Sequence, residues 1–133
     1  MAQRTRLHIL LLILVFITPG KALAQYDKQQ FFYRGQQLLF EGRYQQAIDN
    51  FNKLIQLDPE LHEAYFFRGI GKYNLGDFLG ARTDFDKALA IHPIFTLAYH
   101  YRAITHSRLG DYEKALADLQ EAIDLRPGYN GLY

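Results

Sequence analysis

Leu75–Pro93 reads LGDFLGARTDFDKALAIHP, and 34 residues later Leu109–Pro127 reads LGDYEKALADLQEAIDLRP. Both open on Leu-Gly-Asp-aromatic, place an alanine just inside the next segment and close on proline. Working outward, six series keep the same beat: Pro59, Pro93 and Pro127; Gly42, Gly76 and Gly110; Ala47, Ala81 and Ala115; Tyr44, Phe78 and Tyr112; Phe31, Tyr65 and Tyr99; Arg34, Arg68 and Arg102. Six series in phase define an internal repeat, with units at 28–61, 62–95 and 96–129.

Each unit reads as two helices. In the second, HEAYFFRGIGKYNL spaces Tyr65, Ile70 and Tyr73 at helical intervals, and Gly76 is suited to the left-handed conformation that ends a helix. FLGARTDFDKALAI then puts Phe78, Ala81, Phe85, Ala88, Leu89 and Ile91 on one face. Pro93 lacks an amide hydrogen and forbids continuation. Gly35, Gly69 and Ala103 on first helices, with Ala47, Ala81 and Ala115 on second helices, are expected to let the two cross closely. Such pairs cover one another's apolar faces only by stacking.

The order aromatic, small residue, Gly-Asp-aromatic, Ala, Phe, Ala, Pro, carried here by Tyr65, Gly69, Gly76-Asp77-Phe78, Ala81, Phe85, Ala88 and Pro93, resembles the tetratricopeptide repeat (TPR) family across nearly all of residues 28–133. The resemblance implies an all-α fold, a right-handed superhelical solenoid of antiparallel helix pairs. Three positions depart from the pattern. Arginine stands before each first-helix small residue. Leu54 replaces the alanine seen at Ala88 and Ala122, which predicts looser packing of the first unit. Lys72 and His106 occupy a position usually apolar or aromatic.

The N-terminus is a separate object. Arg4 and Arg6 precede an apolar run from Leu7 to Ile17, then Pro19, Gly20 and the small residues Ala22 and Ala24. This order predicts a secretory signal, residues 1–24, cut before Gln25, and a periplasmic or secreted protein. The alternative is an uncleaved anchor, but the run has 11 residues and a spanning helix needs about 20. Removing that segment leaves 12 basic and 14 acidic residues, a balance without the footprint of a nucleic-acid binder. At the other end Tyr133 falls 34 residues after Tyr99, so residues 130–133 read as the start of an incomplete fourth unit or as a tail folding back over an open end.

Little points to chemistry, and no cofactor or metal is expected. The chain has no Cys. Ser107, the one serine after residue 24, lies outside any Gly-x-Ser-x-Gly turn. His100 and His106 are six apart, not the three or four that put two ligands on one helix face. Gly69, Gly71 and Gly76 lie within a helix and at its end, not in a phosphate loop after a strand. Asp84, Asp86, Asp118, Glu121 and Asp124 read as solvated faces with weak ion pairs. Arg34, Arg68 and Arg102 either grip an anionic ligand along the stack or pack their stems and bond backbone carbonyls or the turn acids Asp77 and Asp111; repetition in every unit favours the second reading.

The resemblance also implies where a partner sits, because first helices of this family line the concave face and hold a peptide there. Carried over by position, the first unit presents Phe32, Tyr33, Gln36, Leu39 and Phe40; the second Phe66, Phe67, Ile70, Tyr73 and Asn74; the third His100, Tyr101, Ile104, Ser107 and Arg108. Relatives that hold acidic chaperone tails use Lys, Arg and Asn there, where this chain has Phe32, Gln36, Phe67, Leu97 and Tyr101. The expectation is an exported, non-catalytic scaffold that binds a peptide or partner helix. Two other readings stand beside it: the regulatory arm of a larger exported enzyme, and an oligomer that self-assembles through the open C-terminal end.

Overall fold

The computed structural model describes residues 19–125. Residues 1–18, which carry most of the expected export segment, and residues 126–133, which carry the expected fourth-unit start, lie outside the described residues. Six helices follow one another: α1 Pro19–Phe40, α2 Tyr44–Leu57, α3 His62–Asn74, α4 Phe78–Ile91, α5 Thr96–Leu109 and α6 Tyr112–Asp124. The expected cut before Gln25 falls within α1. None of the described helices is long and apolar enough to cross a membrane.

The turns inside the three units are built alike. Gly42, Gly76 and Gly110 have φ of 72°, 83° and 82°, and the next residue's N–H donates back to the last helical turn: Arg43 to the Leu38 carbonyl, Asp77 to Lys72 and Asp111 to His106. This is the Schellman closure, and glycine enters its left-handed step without a Cβ penalty. Asp77 then caps α4, its Oδ1 accepting from the Gly80 N–H at 2.9 Å. α2 and α4 end two residues before Pro59 and Pro93.

Each helix packs on its neighbours in sequence, and the first helices α1, α3 and α5 also touch in succession while the second helices do not. The stack therefore curves around its first helices. Two clusters form the core. One gathers Leu38, Ala47, Phe51, Leu54 and Ala64; the other gathers Tyr65, Phe66, Ala81, Phe85, Ala88, Leu89 and Ala98. A Cβ on Gly35 would lie 2.6 Å from the Phe51 ring, and one on Gly69 2.7 Å from the Phe85 ring, so the small residues do set the crossing. Leu54 corrects one expectation: it is fully buried in the first cluster and fills that unit instead of loosening it.

The two ends of the stack differ. On α1 the face without a preceding unit carries Gln30, Tyr33, Arg34 and Gln37, all exposed. Of their counterparts one repeat later, Ala64 and Gly71 are buried and Phe67 and Arg68 are half-buried. At the other end α6 exposes Tyr112, Leu116, Leu119 and Ile123. Leu119 is 38% exposed, whereas its counterpart Phe85 is fully buried between α3 and the following α5.

Candidate functional site

The first-helix positions separate into floor and rim. Phe66 belongs to neither: it is 3% exposed, its ring held by Phe67 at 5.2 Å, Phe95 at 4.8 Å, Tyr101 at 5.4 Å and Phe85 at 5.8 Å. The structure moves it from the expected groove into the core, because α5 closes directly over it. Phe67, Ile70, Tyr73 and Tyr101 are partly buried against that core and form the floor. Phe67 stacks on Phe51 at 5.8 Å and meets Phe32 edge-on at 5.6 Å. Edge-to-face pairs at these spacings are the favourable aromatic geometry, and they hold the floor rigid.

Above it stand exposed side chains. Tyr33 is 68% and Phe40 94% exposed, and Asn74, His100, Ser107 and Arg108 are also exposed. Gln36, Leu39 and Ile104 are half-buried. Arg108 donates from Nε to the Tyr73 hydroxyl at 3.2 Å, linking the second and third units across the rim, while Asn74 turns back onto the Ile70 carbonyl. At the α1 end Phe32 and Tyr33 line a cavity of about 220 Å³ with Gln25, Lys28, Gln29, Asp58, Leu61 and Glu63.

The arginine series corrects the expectation about its partners. Arg68 donates from Nε and Nη2 to both Asp84 oxygens at 2.9 and 2.6 Å and from Nη1 to Asn52 at 2.8 Å. Arg102 repeats the pattern with Asp118 and Asp86. The acceptors are thus second-helix residues 16 positions away on either side, not the turn acids. Asp84 and Asp118 are buried and not solvated as expected. The Asp118 hydrogen bond holds the Arg102 guanidinium well above its ordinary value, against burial and with help from Asp86. Lys72 Nζ sits 2.9 Å from Asp84, and His106 Nε2 3.8 Å from Asp118, which explains both polar departures from the repeat pattern. Arg34 finds only Gln37, at 3.0 Å on the surface, because its own unit offers Asn50 and, among the described residues, no helix pair packs ahead of α1. Arg68 and Arg102 thus each tie a first helix to its own second helix and to the one before.

One pairing was invisible in the sequence reading. His62 and His92 stack with centroids 4.4 Å apart and planes 13° from parallel. Burial, the largest influence, holds the His62 imidazole below its ordinary value, opposed by Glu63 and reinforced by His92. Parallel rings send their lone pairs past each other. Among the described residues no group of three or more His, Cys, Asp or Glu is arranged to hold a metal.

Comparison with known proteins places this architecture. Residues 29–61 and 96–129 each match a family model described as tetratricopeptide repeat, together half of the chain. No curated protein matches the sequence. Among solved structures, the chain is similar to the first TPR of Spaghetti (RPAP3) bound to the HSP90 peptide SRMEEVD, at 25% identity over 77% of this chain and 82% of that one, with a TM-score of 0.74. It is also similar in fold to the Arabidopsis OM64 TPR domain, at 23% identity over 78% and 86% with a TM-score of 0.75. The TPR2B domain of yeast Sti1 in its pHsp70 complex matches at 23% identity over 75% and 80%, with a TM-score of 0.73.

Proposed function

Since the chain belongs to the tetratricopeptide repeat family, we propose that it is an exported, non-catalytic scaffold that binds a peptide or partner helix along its first helices. One observation carries the reading: a rigid aromatic floor of Phe67, Tyr73 and Tyr101 lies beneath a rim that leaves Tyr33 and Phe40 projecting into solvent. Projecting aromatics over a packed floor supply large apolar contacts at low entropic cost, as an interaction surface requires. The peptide complexes of Spaghetti and Sti1 support a peptide as the class of ligand. The ligand differs from theirs in chemistry, because Phe32, Gln36, Phe67, Leu97 and Tyr101 offer no cation to an acidic tail. Export rests on the basic, apolar and small-residue order of residues 1–24.

Affinity selection of a random peptide library on the immobilised chain tests this, followed by rebinding to Tyr33→Ala/Phe40→Ala. Selected peptides are expected to share apolar anchors and to lose binding to the double variant, whose helicity is unchanged. Unaltered rebinding would sink the proposal. A second reading, self-association, is favoured by the apolar stripe of Tyr112, Leu116, Leu119 and Ile123. It predicts a concentration-dependent mass in sedimentation that Leu116→Glu abolishes.

A further inference from the structure

Two residues 30 positions apart close each of the first two helix pairs, joining the first helix to the end of the second. In the first unit they are Lys28 and Asp58, an ion pair with Nζ to Oδ2 at 2.9 Å. In the second unit the same positions hold His62, the first residue of α3, and His92, the C-cap of α4. A permanent pair of opposite charges is thus replaced by two titratable rings.

The surroundings of these rings decide how they respond to acid. Phe95, the N-cap of α5, meets both edge-on at 5.0 and 6.0 Å and continues into Phe66 at 4.8 Å. Glu63 on α3 is the charged group at the stack, its Oε2 3.1 Å from His62 Nδ1. Asp58, on the turn before α3, is engaged by Lys28, and α5 contributes the uncharged Phe95. Among the described residues His92 has no ion-pair partner, and its buried Nδ1 has no hydrogen bond. Neutral imidazoles stack as aromatic rings do. Two imidazolium rings in the same place confront each other with one carboxylate between them, and repel.

We propose that His62 and His92 form an acid-released clasp on the second unit, shut while both rings are neutral and opened when both take up a proton, which frees Phe95 and loosens the seat of Phe66 beneath the first-helix wall. The proposal is independent of the ligand, since the state of the clasp is read in stability. The sign follows from proton linkage. With the folded His62 held below its ordinary value, the unfolded chain binds more protons in the window beneath about pH 6.5. Stability is complete above that window and lost as pH falls through it.

The test compares urea unfolding midpoints of the full chain, followed by far-ultraviolet dichroism from pH 8 to pH 5.5, with those of His62→Lys/His92→Asp, which installs the first unit's clasp. The wild-type midpoint is expected to fall through the window and the variant's to stay level. An equal fall in both overturns the proposal. Should the variant not fold, the imidazole resonances of His62 are titrated in the full chain and in His92→Phe. The protonation midpoint of His62 is expected at higher pH once its neighbour cannot charge, and a midpoint that does not move overturns the clasp.

Discussion

Arg102 holds Asp118 through two parallel bonds, Nε to Oδ2 at 2.7 Å and Nη2 to Oδ1 at 2.6 Å, while its remaining Nη1 reaches back to Asp86 on the preceding unit at 2.8 Å. One guanidinium thereby ties α5 to its own second helix and to the one before. Bidentate geometry is open to arginine and not to lysine. With the Asp118 side chain 8% exposed, Asp118→Ala leaves the half-buried guanidinium with only the exposed Asp86 carboxylate and is expected to cost about 3 kcal/mol in urea unfolding, the low end for breaking a buried pair. Arg34→Ala, which removes a surface bond to Gln37, is expected to cost less than about 0.5 kcal/mol. Equal costs would show that the two buried rungs do not brace the stack.

Glycine at position 69 is required by space. Helix propensity alone makes Gly→Ala favourable by about 1 kcal/mol, but the added carbon would meet the fully buried Phe85 ring at 2.7 Å. Gly69→Ala is expected to be net destabilising by about 1–3 kcal/mol, read as a fall in the thermal midpoint. A rise in that midpoint would mean that α3 and α4 separate freely.

Phe66 and Phe40 make a contrasting pair for mutagenesis. Phe66→Ala removes a core ring and is expected to cost about 3–5 kcal/mol, whereas Phe40→Ala, at a 94% exposed position, stays within about 0.5 kcal/mol. Chemical unfolding of the two separates core from rim, and reversed costs would refute the division of the first-helix wall.

The absence of cations at Phe32, Gln36, Phe67, Leu97 and Tyr101 gives a prediction about ligands. Titrated with the peptide SRMEEVD, the chain is expected to show no saturation below about 1 mM. Micromolar binding would mean that a carboxylate tail is held without a basic clamp, and would require another anchor for it.

The fold was legible because the repeat states it three times: glycines at 42, 76 and 110 mark the turns, and prolines at 59 and 93 mark the ends of α2 and α4. The wall was legible only by position. Phe66 and Phe67 are adjacent aromatics on one helix, and nothing local tells which will be covered by α5. The arginine partners were missed for a related reason. A bond 16 residues away along the chain depends on how α3 meets α4, although the recurrence of Asn52 with Arg68 and Asp86 with Arg102 at one spacing carried a signal. The histidine stack gave none, because two imidazoles have no complementary charge to betray them.

The unlike ends described for the stack give it a direction of growth. A further helix pair appended after α6 would find Leu119 and Ile123 waiting uncovered, with Gln120 at the place where Asn52 and Asp86 receive their arginines. One inserted ahead of α1 would have to strip water from Gln30, Arg34 and Gln37 and find each a new partner. Extension is therefore expected to cost less after α6 than ahead of α1.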